Sequence, residues 1–500
     1  MRKLLNTSKF ISVFMISFIM GVAVNAQNNP DTIPEKITEL KDQVSGLNER
    51  LLTAESDLAK HNKIKISGYT QAQWEHYELA TAYPNQQFTL RRVRIKATYE
   101  AADGVKFVLQ PDFSPGALAL KDAYVVLNDR WTKSFSLTMG QFNRPNYEVE
   151  YSSSQREVPE RSRIVRALYP GERAIGAKLE YNPTNMPLKI QLAIFNGNDG
   201  STYKDALGAN INPTNKDFDN FKDIMARATY SIKLGSFGGL DFGAHAYFGA
   251  IKATTDTIVK GDYTKDAYIK IGDPLKRSWA GLEFQLFADV LGGMSLKGEY
   301  IMGTNVTPGN TGSTSGTALA SVFKNDTLFN TTTITNTTTR TPNFTTKFSG
   351  YYLYFIKNVG KKNQFALRYD VYDPNTDIKG TDVMSTLKYE NSVTKTASAS
   401  TTTNNTVNTT TTKTVTKTSI KSSVADLSYS TLTLAWHYYF DDNIRITLAY
   451  EMPVNEKVGQ DALGNSNLST TSSVNNVTKT LNYNTVFPQN TLTLRLQAKF

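Results

Sequence analysis

The chain is 500 residues long, has a formal charge of +10 and contains no cysteine. That length suits several soluble domains or one large barrel, and the missing cysteines exclude a disulfide framework as the source of stability. Beyond the N-terminus no run approaches the ~20 apolar residues of a membrane-spanning helix, so a helical membrane protein is excluded too.

Arg2, Lys3 and Lys9 precede an apolar run from Phe10 to Val24, which ends in Val24-Asn25-Ala26. This pattern predicts a signal peptide over 1–26, cleaved after Ala26, and with no cysteine behind it a lipid anchor is excluded. Ile33, Ile37, Leu40, Val44, Leu47, Leu51, Ala54 and Leu58 then alternate spacings of four and three. This a/d seam predicts a periplasmic coiled coil over 27–62, with Thr32 suited to a cap and Pro34 to a first turn. An isolated helix of this length is marginal in water, so pairing with copies of itself is expected. Arg50 and Glu55 fall at flanking g and e positions. The alternative is a helix folded onto the mouth of the following domain.

From residue 63 to 500 the pattern is all-β. Strands are expected near 64–78, 87–100, 104–111, 118–128, 134–142, 173–182, 187–196, 221–234, 238–251, 277–289, 293–304, 346–357, 362–373, 427–440, 443–453 and 490–500. This is the even, sixteen-strand order of a single-chain antiparallel transmembrane β-barrel. Val93, Ile95, Ala97 and Tyr99 oppose Arg92, Arg94, Lys96 and Thr98. Leu188, Ile190, Leu192 and Ile194 oppose Lys189 and Gln191. Strict alternation puts one face in an apolar medium and the other in water. Tight links such as Ala101-Ala102-Asp103-Gly104 and Asp441-Asp442-Asn443 alternate with long polar ones, which predicts periplasmic turns and external loops. Thr304 to Thr345 and Asn391 to Ser423 are crowded with Thr, Asn and Ser and are expected to be mobile external loops. The chain closes on Leu492, Leu494, Leu496, Ala498 and Phe500 opposing Thr493, Arg495, Gln497 and Lys499. This resembles a terminal strand read by the outer-membrane barrel-assembly machinery.

No P-loop, zinc-ligand cluster or nucleophile elbow is present, and His61, His76, His245 and His437 are scattered over separate elements. No enzyme activity, cofactor, metal or nucleic-acid partner is expected. The basic residues say more. Arg92, Arg94 and Lys96 share the non-lipid face of one strand, since a lipid-facing charge near the midplane would cost ~2–4 kcal/mol. They either form an anion-attracting row or balance lumen carboxylates such as Asp122 or Glu180. Arg91 has the opposite parity and is expected to meet lipopolysaccharide phosphates. The long connection from Asn143 to Glu172 carries Arg144, Arg156, Arg161, Arg163 and Arg166, beside Glu148, Glu150, Glu157, Glu160 and Glu172, so besides an anion bias it could carry a transverse field from both signs or pair internally. If it folds inward, a ring of its cations would select anions.

Phe88-Thr89-Leu90-Arg91-Arg92-Val93-Arg94, Lys121-Asp122-Ala123-Tyr124, Gly140-Gln141-Phe142-Asn143-Arg144-Pro145, Glu160-Arg161 and Pro170-Gly171-Glu172-Arg173-Ala174-Ile175-Gly176 follow one another in order. With these the chain resembles the phosphate-selective porin O and P family, and in particular its Bacteroidota-type members with an N-terminal coiled coil. The resemblance implies a homotrimeric sixteen-stranded outer-membrane channel for phosphate or related small anions, with the family's lumen arginines at Arg92 and Arg94. The expected anion-binding, pore-lining set is Arg92, Arg94, Lys96, Arg156, Arg161, Arg163 and Arg166. The alternatives are a general or sugar-preferring porin, with Tyr124, Tyr247 and Tyr372 as a sugar path, and a structural or adhesive protein with a closed barrel.

Overall fold

The structure, a computed structural model, describes residues 41, 43–51, 63–79, 84–116, 118–197, 203–204, 210–211, 219–253, 257–259, 267–269, 272–307, 311–324, 327–340, 344–383, 387–393, 395–402, 417–421, 424–459, 469–474, 477–483 and 485–500. It divides into two compact units, Met1–Ile64 and Lys65–Phe500. In the first, residues 43–51 are helical, and Val44, Leu47 and Leu51 are each more than half exposed. The signal-peptide segment and the other seam positions lie outside the described residues.

The second unit is a closed antiparallel barrel whose sixteen strands pair in chain order. They are β1 Ile64–Tyr77, β2 Gln86–Ala102, β3 Val105–Asp112, β4 Ala119–Asn128, β5 Phe135–Asn143, β6 Arg173–Tyr181, β7 Leu188–Phe195 and β8 Asp223–Lys233. The ring continues with β9 Gly238–Lys252, β10 Pro274–Ala288, β11 Met294–Thr307, β12 Phe344–Val359, β13 Asn363–Asp373, β14 Tyr429–Tyr439, β15 Ile444–Asn455 and β16 Thr491–Lys499. Every expected strand is present, with ends moved by a few residues. Short links at 103–104, 234–237, 360–362 and 440–443 gather at one end of the barrel, and the long connections gather at the other.

Closure comes from β1 pairing with β16, in a register that runs from Tyr69↔Lys499 to Tyr77↔Thr491. The last residue extends the seam. Gly68 N donates to Phe500 O and Phe500 N to Gly68 O, both at 3.0 Å. A side chain at residue 68 would meet the Phe500 ring at 2.5 Å, so only glycine lets that ring lie over the seam. Closure leaves no strand at a free edge, so along the paired registers the backbone groups are satisfied within the ring.

The pleat sorts the side chains. On β16, Thr493, Arg495 and Gln497 are buried inside while Leu494 and Leu496 are exposed outside. Leu192 and Ile194 on β7, Leu282 on β10 and Leu353 and Phe355 on β12 continue the apolar outer surface. That outer surface suits hydrocarbon, and the polar inner wall suits water. One inner sector breaks the rule. Ala193, Phe195, Met225, Tyr247, Trp279, Ile301 and Phe348 face inward and are buried in a single apolar cluster.

The two Thr/Asn-rich segments correct an expectation. Their described residues are not plain loops, because Thr311–Lys324 pairs with Thr327–Arg340, which pairs in turn with Lys395–Thr402. A ladder of this kind needs only backbone hydrogen bonds and the β preference of threonine, not a buried core.

Candidate functional site

The connection between β5 and β6 folds into the barrel. Asn146 starts its first helix, Tyr147–Glu150, by accepting at its side-chain oxygen from Glu148 N and Val149 N (3.1 and 3.2 Å). Glu148 then ties the loop to itself, accepting from Ser162 N (3.1 Å) and Ser162 Oγ (2.6 Å) at the head of the second helix, Arg163–Leu168. Tyr354 Oη on β12 also donates to it at 2.6 Å, so this buried acid is satisfied by neutral donors. The loop ends at Pro170-Gly171-Glu172, where Gly171 (φ 73°) and Glu172 (φ 68°) both take the left-handed conformation. Glycine takes it freely and glutamate does not, so Glu172 is held there by its partners. They are Arg156 (2.9 Å), Arg173 (2.6 Å) and Arg161.

The apolar sector of the wall is the loop's seat. Ile164, Val165, Leu168 and Tyr169 are buried against it, and Ile164 fills the notch left by Gly350 on β12. Trp279 Nε1 donates to Tyr169 Oη at 2.9 Å, and Trp279 stacks on Tyr247 with ring centroids 3.7 Å apart. On the opposite wall, Gln71 Nε2 donates to Ser153 O (3.1 Å), Gln497 Nε2 to Ser154 O (3.1 Å) and Arg495 Nη1 to Pro159 O (3.0 Å). Arg368 Nη1 donates to Glu160 O at 2.6 Å. The loop is thus fastened to β1, β13 and β16 as well as to β10 and β12, and it crosses the lumen.

Guanidinium groups converge where it crosses. Glu160 pairs with Arg91 (3.0 Å), Arg495 (3.3 Å), Arg92 (3.5 Å) and Arg156 (3.8 Å). Burial alone would push the Glu160 carboxyl up, but Arg92, Arg91, Arg156 and Arg495 more than reverse this and hold it well below the usual carboxylate range. Arg156 is shared with Glu172 at 2.9 Å, so Arg91, Arg92 and Arg495 are the three cations that meet Glu160 alone, and they leave an excess of positive charge at the crossing. Beside it, a cavity of about 320 Å³ is lined by Arg91, Arg92, Arg94 and Lys121 with Asp112 and Glu172. A second cavity of about 320 Å³, against β8–β10, has the opposite balance, with Glu150, Asp241 and Glu283 facing Arg227.

The residues singled out from sequence divide accordingly. Arg92 and Arg156 join the Glu160 cluster. Arg94 is buried against Asp112 (2.7 Å) and also donates to Tyr69 Oη (3.0 Å). Arg161 braces the loop by donating to Glu148 O and Val149 O. Arg163 donates from Nε to Thr431 Oγ1 (3.1 Å) and lies over the Tyr429 ring. Lys96 is half-buried and Arg166 exposed, and neither joins the cluster. Arg91 departs from the expectation of a lipopolysaccharide contact: it lies where β2 runs past its last β3-paired residue, Arg94, and it turns to Glu160 with both Nε and Nη2. Tyr124, Tyr247 and Tyr372 pack in or against the apolar cluster and line neither cavity. Sequence reasoning missed Lys121 and Arg495 as site residues. Arg495 had inward parity, but its approach to Glu160 depends on barrel closure.

Residues 64–259, which carry β1 to β9 and the crossing loop, match the family model described as phosphate-selective porin O and P. No curated protein matches the chain in sequence. Among solved structures it is similar to the high-pH structure of Pseudomonas putida OprB, with a TM-score of 0.47 and 9% identity over 90% of this chain and 96% of that one. It is also similar to an anion-selective porin from Comamonas acidovorans (TM-score 0.45, 10% identity, 87% and 99% covered). The outer-membrane channel DcaP of Acinetobacter baumannii gives a TM-score of 0.45 at 9% identity, with 87% and 97% covered. The family match thus runs through the loop-bearing strands of a closed ring that is apolar outside and polar within, and over residues 64–259 the chain is similar to the phosphate-selective porin O and P family.

Proposed function

We propose that this porin passes small anions such as phosphate by passive diffusion, preferring them without binding them tightly. The observation that supports this is the cavity beside the crossing loop, with Arg91, Arg92, Arg94 and Lys121 against two carboxylates. Guanidinium groups in a low-dielectric wall need counter-charge, and where protein carboxylates fall short, mobile anions from the lumen supply it. The guanidinium fork matches two oxygens of a phosphate. Interleaved acids such as Asp112 and Glu172 keep the interaction weak enough for release. In this reading the short turns lie in the periplasm, the long loops lie outside, and the seam around Val44, Leu47 and Leu51 joins three copies.

Lys121 is the group to test, because it lines the cavity and its ammonium group makes no hydrogen bond or ion pair among the described residues. In planar bilayers under a KCl gradient, Lys121→Glu should move the reversal potential toward cations at low salt. An unchanged or more anion-selective potential sinks the reading. Absence of current from the wild-type protein would assign it to a closed, structural barrel instead.

A further inference from the structure

We propose that His245 on β9, Glu283 on β10 and Glu299 on β11 form a binding site for one divalent transition-metal ion behind the crossing loop. The three side chains face inward from adjacent strands, and one ligand atom from each lies within 4.8 Å of the others. His245 Nδ1 is 3.3 Å from Glu299 Oε1. Ligands at the ~2.0–2.2 Å of an imidazole or carboxylate on zinc sit about that far from one another.

The site does not rest on acidic residues alone. His245 is only 4% exposed, and among the described residues neither ring nitrogen makes a hydrogen bond, the 3.3 Å approach of Nδ1 to Glu299 being a proposed ligand-to-ligand contact. A buried imidazole is ordinarily satisfied on at least one nitrogen, and an ion would satisfy this one. The wall is also thinned to admit it. A Cβ at Gly281 would meet His245 Cε1 at 2.2 Å, and a Cβ at Gly243 would meet Glu283 Oε1 at 2.8 Å. Both positions are therefore open where the ligands must lie flat.

Charge points the same way. Glu283 and Glu299 are directly opposite in the β10–β11 register, a repulsive placement without a cation. Arg227 reaches Glu283 at 2.6 Å but also serves Glu150 at 2.6 Å, and Lys189 near Glu150 is shared with Glu180. Among the described residues Glu299 receives only the neutral donors Asn146 Nδ2 and Tyr352 Oη, each at 2.7 Å. A doubly charged ion would balance Glu283 and Glu299, with Asn146, Tyr352 and Arg227 orienting the ligands from outside. One imidazole with two carboxylates suits zinc or manganese better than calcium or magnesium. Glu283 and Arg227 also line the β8–β10 cavity, which gives an ion a way in. Because Asn146 begins the crossing loop, an ion here would fasten the loop's first turn to the wall.

The full-length folded protein, stripped with EDTA and dialysed against micromolar zinc or manganese, should take up about one ion per chain as measured by mass spectrometry. His245→Gln and Glu299→Gln should each weaken uptake at least ~10-fold, and the loop variant Asn146→Ala about tenfold, with heat-modifiable migration reporting folding. X-ray absorption of the zinc-loaded wild type should show one imidazole among oxygen donors, a readout that does not depend on any variant folding. The assignment is overturned if the wild type binds neither ion stoichiometrically, if the two glutamine variants bind as well as wild type, or if the zinc shell contains no imidazole.

Discussion

Glu160→Gln removes the carboxylate shared by Arg91, Arg92, Arg156 and Arg495 at 3.0, 3.5, 3.8 and 3.3 Å. It keeps the shape of the side chain. The loop should stay in place, because its backbone is held separately through Pro159 O and Glu160 O. What changes is the field. One unit of charge at about 6 Å from a permeating anion, at the dielectric of water, is worth about 0.7 kcal/mol, or about a threefold rise in local anion concentration. The variant should therefore be more anion-selective than wild type in a KCl gradient. The difference should be large near 0.1 M salt, where screening acts over ~10 Å, and small near 1 M, where it acts over ~3 Å. The pH dependence follows from the direction of the Glu160 shift. A carboxylate held below its ordinary value contributes stability that is present above that ordinary value and is lost only as pH falls through the lower, folded one. At about pH 5, just above the ordinary carboxylate range, wild type and variant should still differ as they do at neutral pH. A shift of the variant toward cations at low salt, or none at all, would refute this account of the crossing.

Two further predictions concern the scaffold. Deleting Phe500 removes the paired backbone bonds to Gly68 and the ring that covers it, so outer-membrane levels should fall while export is intact; normal levels would show that closure does not need this residue. Ile164→Ala empties the notch over Gly350 and should weaken the docked loop by about 2–5 kcal/mol, read as faster proteolysis within 144–172 and noisier single-channel current. A cleavage rate and noise level equal to wild type would mean that the apolar seat does not hold the loop.

Much of the candidate site was legible as local pattern. The parity of β2 put Arg92 and Arg94 on the wall, and the Arg-rich stretch between β5 and β6 was recognisable as a loop able to enter the lumen. A signal for its seat was also present, since Leu192-Ala193-Ile194-Phe195 is apolar at both parities, as a strand packed on both faces must be. The pairing of these charges was not legible. Arg495 and Glu160 are 335 residues apart, and Arg91 reaches the same carboxylate against its own parity, from the part of β2 that extends past β3.

The sequence by itself determined the strands, their inner and outer faces, the turn and loop ends, and the residue that completes the seam. All of these depend on the two-residue repeat of an extended chain and on turn chemistry, which act between near neighbours. Only the tertiary structure decided which arginines share Glu160, which aromatic residues seat the loop, and that His245, Glu283 and Glu299 meet behind it. Those contacts depend on strand register and on ring closure, which bring together side chains from three or more separate strands. No pattern along any one strand encodes that meeting.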